Sequence, residues 1–144
     1  MSTVSPSPPW PDLAVGDELP SLTLDITATH IAAGAIATRD FMPVHHDRDY
    51  AQAQGAPDIF MNILSTNAHC SRWLTDWAGP DAMVRSLAIR LGVPLMPGAT
   101  LTFTGTITGL AEDRDEGRVE IEFRAATDIG DHVTGTAALT LPLG

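Results

Sequence analysis

The sequence contains no lysine, and all eight of its basic residues are arginine. A protein without lysine cannot form a Schiff base with a substrate or with pyridoxal phosphate, and it lacks the P-loop lysine that contacts nucleotide phosphates. The single cysteine, Cys70, has no partner for an internal disulfide, which is typical of a reducing compartment. The 18 acidic residues give a net charge of −10, so neither nucleic acid nor an anionic membrane is expected as a partner.

Long apolar runs are also missing. No stretch approaches the roughly 20 apolar residues of a membrane-spanning helix, and the N-terminus lacks the basic and then apolar order of a signal peptide. A chain of 144 residues that is 44% hydrophobic is nevertheless long enough to bury one core. These features predict a soluble, acidic, cytoplasmic protein with a single folded domain.

Proline is concentrated near the N-terminus, where five of the 11 prolines fall within residues 1–20. Because proline restricts φ and donates no backbone hydrogen bond, we expect residues 1–20 to form an extended or disordered arm, followed by a domain at 21–144. Trp10 lies within this arm. It is interpreted either as a docking residue for a partner or as a partly exposed side chain in a tail.

Helical signals dominate the first half of the domain. After a short strand predicted at residues 21–26, Thr27 or Thr29 can cap a short helix that ends near Thr38. Residues 47–54 are compatible with one or two further helical turns.

The longest helical pattern follows Asp58, which is a suitable N-cap residue. Between Phe60 and Trp77 apolar residues recur at spacings of three and four, and Gly79 with Pro80 ends the pattern. This pattern predicts a helix of about 18 to 20 residues with apolar side chains on both faces. Such a helix is expected to be buried at the centre of the fold.

The apolar period changes from 3.6 to 2 after Met83, as in antiparallel strands with one apolar face. The alternating apolar positions fall within four runs, 87–91, 101–107, 119–125 and 133–141. They predict three or four strands in addition to the short first one. An apolar sheet face needs a cover, which the long helix can provide, so we predict an α+β fold with an antiparallel sheet wrapped around that helix.

The best candidate for chemistry is the segment from Arg39 to Asp47, in which Asp40 precedes His45 by five residues. A carboxylate and an imidazole on one loop can transfer protons to and from a bound water. The same pair is also compatible with an aspartate that caps a turn and a solvated histidine. His46 and Asp47 suggest a metal site, but side chains of adjacent residues diverge and no third ligand is obvious, so no metal is expected.

Other polar candidates are better explained by packing. Cys70 follows His69, which suggests a thiol nucleophile, but its place on the long helix favours a buried cysteine. His69 itself is expected to pack or to lie on the surface rather than to take part in chemistry. His30 and His132 are expected to be surface histidines.

Two motifs in the same order resemble the MaoC-like enoyl-CoA hydratases of the (R)-specific, hydratase 2 type. Residues 40–47 resemble the D-x-N-P-x-H-x-D pattern of that family, and Tyr50-Ala51 and Gly55 match the residues that usually follow it. Residues 90–101 resemble its R-F-x-x-P-x-x-P-G-x-T-L stretch. The resemblance extends over residues 22–142 and implies a single hot-dog fold.

The chain departs from the family pattern at several positions. Met42 replaces the asparagine of the loop, Ala99 replaces an acidic residue, and Met61-Asn62 replaces a His-Gly pair at the start of the long helix. With these changes the sequence resembles the small subunit of the actinobacterial steroid side-chain hydratases. In those enzymes a catalytic MaoC-like chain pairs with a second hot-dog chain that lacks the Asp/His pair.

The resemblance implies a role for each site residue. Asp40 and His45 hold a water between them and activate it for addition to a 2-enoyl-CoA thioester. The enolate oxygen accepts a hydrogen bond from the backbone N–H of Asn62, and Gly55 also lies in the substrate site. Arg90 is a candidate to bind the pantetheine or phosphates of CoA, although a solvated or ion-paired arginine is an equal interpretation. CoA is part of the substrate, and no separate cofactor is expected.

Two alternatives remain open from the sequence. A hot-dog acyl-CoA thioesterase more often places its carboxylate on the central helix, where this chain offers only Asp58 and Asp76. A non-catalytic subunit that binds acyl-CoA would have no need of both Asp40 and His45. A single hot-dog domain is too narrow to enclose CoA, so we expect either a homodimer or a hetero-oligomer with a second hot-dog chain.

Overall fold

Five antiparallel strands form a single sheet in the computed structural model, which describes residues 5–144. The strands are β1 (Leu22–Asp25), β2 (Met83–Leu91), β3 (Thr100–Asp113), β4 (Glu116–Thr127) and β5 (Gly130–Pro142), in the spatial order β1-β3-β4-β5-β2. The helices are α1 (Ala28–Ala37), α2 (Arg48–Ala53) and α3 (Ile63–Ala78), with short 3-10 helices at Trp10–Asp12 and Pro43–His45. No helix within residues 5–144 is long and apolar enough to cross a membrane.

The inner face of the sheet packs on α3, as the alternation of apolar residues predicted. Along β4, buried Val119, Ile121 and Phe123 alternate with exposed polar side chains. Trp73 of α3 lies on this face and stacks on Phe103, with ring centroids 5.7 Å apart. The α+β hot-dog architecture, in which a sheet wraps around one long helix, is therefore confirmed.

Both short helices form where the sequence predicted them. Thr27, one of the two candidate caps, accepts a hydrogen bond from the His30 N–H at 3.1 Å and begins α1. Asp47 accepts a hydrogen bond from the Tyr50 N–H at 3.0 Å and begins α2. His30 lies on the surface, as expected.

The long helix begins later than predicted. α3 has 16 residues and is capped by Asn62, whose side chain accepts the N–H of the third helical residue. Asp58, the predicted cap, lies upstream in non-helical chain and accepts a hydrogen bond from Arg48 at 2.8 Å. The helix does not extend back to Asp58 because the Met61 N–H is bonded to the Leu95 carbonyl at 2.9 Å, which ties this part of the chain to the loop before β3.

The proline-rich segment runs beside the sheet. The predicted arm covers residues 1–20, of which residues 1–4 lie outside the described residues. Leu19 is buried in the core, and its N–H donates to the carbonyl of Gly105 on β3 at 2.9 Å. The division of the chain into an arm and a domain at residue 20 stays a prediction.

Trp10 packs against the sheet of its own chain. Its indole occupies the space that a Cβ on Gly117 of β4 would fill, and its Nε1–H donates to Glu112 at 3.1 Å. Glycine is the residue that permits this close approach. Within one chain, Trp10 therefore attaches the N-terminal segment to the hairpin of β3 and β4.

Candidate active site

Asp40 and His45 face each other where α1 ends and the chain enters the loop before α2. Arg39 adopts a left-handed φ of +57° after the helix, and the Asp40 N–H donates to the Ala35 carbonyl at 2.9 Å. Pro43 then begins the 3-10 helix that carries His45. As a result, Nε2 of His45 lies 3.2 Å from Oδ2 of Asp40.

His45 is held in one tautomer. Its ring is buried, and Nδ1 lies 2.7 Å from the carbonyl oxygen of Phe60. Because a carbonyl oxygen only accepts hydrogen bonds, Nδ1 carries the proton of the neutral imidazole, and the lone pair of Nε2 faces Asp40. The Phe60 ring also packs edge-on against the imidazole, with centroids 5.1 Å apart, which fixes the plane of the ring.

The Asp40 carboxylate accepts hydrogen bonds from two further groups. Nδ2 of Asn62 donates to Oδ2 at 3.1 Å, and the Met42 N–H donates to Oδ1 at 3.3 Å. The hydrogen bond from Asn62 is the main reason why the pKa of Asp40 lies below its ordinary value. Desolvation opposes this shift in pKa, while the Met42 N–H and the charge of a protonated His45 add to it. Asp40 is therefore a carboxylate at neutral pH.

The backbone N–H of Asn62, the predicted oxyanion donor, belongs to the first turn of α3. It makes no hydrogen bond to another residue in the part of the chain that the structure describes, so one backbone donor is unused. The positive end of the α3 dipole lies at the same place. The contact between the Asn62 side chain and Asp40 was not predicted, and the preference of asparagine for N-cap positions was its only sequence signal.

Neither Gly55 nor Arg90 makes a hydrogen bond or an ion pair to this pair within residues 5–144. Gly55 lies in the exposed turn after α2 with a φ of +96°, and its N–H donates to the Gln52 carbonyl at 3.0 Å. The left-handed φ in this turn is sufficient to explain why residue 55 is glycine. Arg90 lies on β2 opposite Thr134, on the exposed sheet face that is directed away from α3. Roles for both residues in binding substrate or CoA stay predictions.

His46 and Asp47 occupy separate places and do not form a site together. His46 is exposed, and its Nε2 lies 3.4 Å from the Phe41 carbonyl. Asp47 is the N-cap of α2. Among the residues from 5 onward, no group of three His, Cys, Asp or Glu side chains is placed to hold a metal ion.

His132 lies in the core, which corrects the prediction of a surface histidine. Its Nδ1 lies 2.7 Å from the Val93 carbonyl, and its Nε2 lies 2.8 Å from the Thr66 hydroxyl on α3. A register shift between Ala125 and Ala126 of β4 leaves His132 as an extra residue on β5, so two consecutive residues point inward there. Burial lowers the pKa of His132.

Cys70 is a packed residue of α3, as predicted. Its side chain is fully buried, and desolvation raises the pKa of the thiol to about 12. The reactive thiolate is therefore not populated at neutral pH. His69 beside it is half-buried, and desolvation lowers its pKa.

Five large apolar side chains lie exposed on the segments that carry the site. They are Ile36 on α1, Phe41 and Met42 in the loop, and Ile63 and Leu64 in the first turn of α3, each between 49% and 65% exposed. We call this group the apolar rim. These residues lie close in sequence to Asp40 or Asn62, and contiguous exposed apolar surface is typical of binding sites.

Comparisons relate the chain to hydratases. No family model matches it. It is 45% identical over 127 residues to the beta subunit of 3-oxo-4,17-pregnadiene-20-carboxyl-CoA hydratase from Mycobacterium tuberculosis, over 88% of this chain and 95% of the relative. It is similar to a chain of the ChsH1-ChsH2 complex from the same organism, with a TM-score of 0.82 and 44% identity over 89% of this chain and 98% of that chain. The (R)-hydratase from A. caviae involved in PHA biosynthesis has a TM-score of 0.80 and 25% identity, over 91% and 98% of the two chains.

Proposed function

This chain belongs to the MaoC-like (R)-specific enoyl-CoA hydratase family, and from that premise we propose that it hydrates a 2-enoyl-CoA with Asp40 and His45 as catalytic residues. The proposal rests on one observation. Nε2 of His45 lies 3.2 Å from Oδ2 of Asp40, and the Phe60 carbonyl leaves the Nε2 lone pair available. A carboxylate and a ring nitrogen can then bind one water from two sides.

In the proposed reaction, the water lies beside the pair and contacts both Asp40 and His45. Nε2 of His45 takes a proton as the water oxygen bonds to the β-carbon, and the electron pair of the double bond moves to give an enolate. Asp40 is a weaker proton acceptor because its pKa is lowered, so it orients the water and stabilises the imidazolium that forms. His45 then returns the proton to the α-carbon, which completes the addition of water and restores the pair.

The enolate oxygen needs a donor that is already in place. The backbone N–H of Asn62 is proposed for this role, because it is unused and lies at the positive end of α3. Gly55 is proposed to line the substrate site, and Arg90 to bind the pantetheine or phosphates of CoA. No cofactor is required beyond the CoA that the substrate carries.

The proposed substrate is a CoA thioester with a bulky, steroid-like acyl group. The relative at 45% identity is named for a pregnadiene carboxyl-CoA, and the apolar rim places exposed apolar surface beside Asp40. We also propose a second hot-dog chain as the partner, since the similar chain of known structure lies in the ChsH1-ChsH2 complex. A second chain over the apolar rim would enclose the acyl group and exclude water from the reacting carbons.

Substitution of the pair tests the catalytic role. Asp40→Asn and His45→Gln preserve shape but remove the charge and the proton acceptor, so each is expected to lower kcat for hydration by about 100-fold or more. The loss of enoyl absorbance from a steroid-like enoyl-CoA is followed with the protein alone and with a co-encoded hot-dog partner. The matched control is His46→Gln, which changes an exposed neighbour and should retain wild-type activity.

The outcomes separate the three candidate functions. Absence of hydration in every combination, or full activity in both variants, contradicts the proposal. Release of free thiol indicates a thioesterase, for which α3 offers only Asp76 near its C-terminal end, since Asp58 lies before the helix. Binding of acyl-CoA without either reaction indicates a non-catalytic subunit.

A further inference from the structure

The side chain of Asn62 is buried and makes hydrogen bonds to three parts of the fold. It is 2% exposed. Its Oδ1 accepts the Ser65 N–H of α3 at 3.1 Å, and its Nδ2 donates to the Thr38 hydroxyl at the end of α1 at 2.8 Å. The same Nδ2 donates to Oδ2 of Asp40 at 3.1 Å. One amide thus joins the ends of two helices to the carboxylate of the site.

The amide of Asn62 can satisfy these partners in one orientation only. The Ser65 N–H is a donor, which requires Oδ1 on that side. The Thr38 hydroxyl gives its hydrogen to the Gly34 carbonyl at 2.8 Å, so its oxygen accepts from Asn62. Both hydrogens of Nδ2 are then assigned, and one of them is directed at Asp40.

Close packing of α1 on α3 makes this arrangement possible. A Cβ on Gly34 would overlap Oγ of Ser65, so only glycine lets the two helices approach this closely. The approach brings Thr38 to Asn62, since Thr38 follows Gly34 by one turn of α1. The position of Asp40 therefore depends on two packed helices and not on its loop alone.

We propose that the Asn62 side chain is a positioning residue for hydration: it holds Asp40 as a carboxylate facing His45 and links this orientation to the N-terminus of α3. The inference deepens the proposed function and rests on it. It assigns to the side chain a task separate from that of the backbone N–H. In a variant that lacks Nδ2, and with His45 neutral, no side chain donates to Asp40 among the residues that the structure describes.

Loss of the Asn62 donor should raise the pKa of Asp40. The groups that face Asp40 are His45, Asn62 and the Met42 N–H, while Arg39 and His46 flank the loop without an ion pair to it. Because Asn62 stabilises the charged carboxylate, its removal raises the pKa of Asp40 towards the ordinary value. Asp40 is then held less firmly as a carboxylate beside His45, so kcat should fall while KM changes little.

Asn62→Ser is the most selective test. Serine retains a cap oxygen for the Ser65 N–H and removes only the amide donor, and Asn67→Ser on the exposed side of the same helix is the matched control. The pKa of Asp40 is measured in the full chain by carbon-13 NMR without substrate, and kcat and KM are measured against pH. In Asn62→Ser we expect a raised pKa of Asp40, kcat lower by about 10-fold and KM within about twofold.

Asn62→Asp provides a second variant. It also retains a cap oxygen, but it places a second carboxylate against Asp40, so the pKa of Asp40 should rise further. If the folded variants leave both this pKa and kcat unchanged, the positioning role is wrong. If instead the wild-type protein hydrates no enoyl-CoA, the proposed function fails, and the NMR titration still decides whether Asn62 holds Asp40 in its ionised form.

Discussion

Two buried histidines of this chain are hydrogen-bonded in the same way. In each ring Nδ1 lies 2.7 Å from a backbone carbonyl, that of Phe60 for His45 and that of Val93 for His132, so Nε2 is the acceptor. Nε2 of His45 faces a carboxylate that can stabilise a proton. Nε2 of His132 accepts the Thr66 hydroxyl inside the core. Protonation of His45 is therefore a step of the proposed reaction, whereas protonation of His132 would break its hydrogen bond with Thr66.

His132 is expected to make the stability of the fold depend on pH. Its folded pKa is lowered by burial, whereas the unfolded chain has the ordinary value of about 6.5. Below about pH 6.5 the unfolded state binds a proton that the folded state does not, so the free energy of unfolding falls as pH drops from that value towards the folded pKa. Above about pH 6.5 the contribution is fully present.

Urea unfolding at about pH 7.5 and about pH 5 measures this effect. His132→Gln should lose less stability between the two pH values than the wild type does. His46→Gln, which alters an exposed ring, should lose as much as the wild type. The same pH dependence in the wild type and in His132→Gln would show that this ring does not titrate with unfolding.

The residues of the site differ in how far the sequence reveals them. Asp40 and His45 lie on one loop, where a short motif and its spacing are visible. Phe60 lies 15 residues after its partner His45, and Asn62 lies 22 residues after its partner Asp40. Neither belongs to a motif of its own. Met42 stands where the family pattern has asparagine, and an amide beside Asp40 comes from Asn62. Only packing of separate segments brings these groups together.

At the scale of elements, one-sided burial made the strands predictable, because it leaves a periodic pattern in the sequence. The prediction of a buried central helix was right for one face of α3 only, since Asn67 and Arg72 lie exposed on the other face. The start of α3 was predicted incorrectly, since the bond between Met61 and Leu95 joins distant segments and overrides the local capping signal of Asp58. The buried position of His132 was missed for a similar reason. A bulge is a property of two paired strands, so neither strand shows it alone.

The contact between α1 and α3 gives a prediction about stability. Gly34→Ala adds a Cβ that overlaps Oγ of Ser65, so the free energy of unfolding should fall by about 1–3 kcal/mol despite the higher helix propensity of alanine. Ser65→Ala removes that oxygen, which has no hydrogen-bond partner within the described chain. The double variant should therefore recover much of the loss, as a double-mutant cycle by urea unfolding can measure. Strictly additive losses would mean that the two residues do not restrict each other.

At the scale of the whole molecule, one chain leaves the site open. The Asp40 side chain is 29% exposed, and the apolar rim beside it faces solvent. A groove of about 960 Å³ lies elsewhere, lined by Arg90 and Arg124 on the outer face of the sheet, and none of its lining residues belongs to the catalytic pair. The proposed bulky acyl group would therefore need a wall near Asp40 that residues 5–144 do not provide.

The proposed second hot-dog chain can provide that wall, which gives a prediction about assembly. Ile36→Glu places a charge in the apolar rim that would lose water when the partner binds, so association should weaken by about 10-fold or more. Ile129→Glu is the matched control, because both isoleucines are 59% exposed and Ile129 lies in the turn between β4 and β5. Sedimentation with the co-encoded partner measures association, and circular dichroism checks that each variant is folded. Undiminished association of Ile36→Glu, or an equal loss in Ile129→Glu, would show that the partner binds elsewhere.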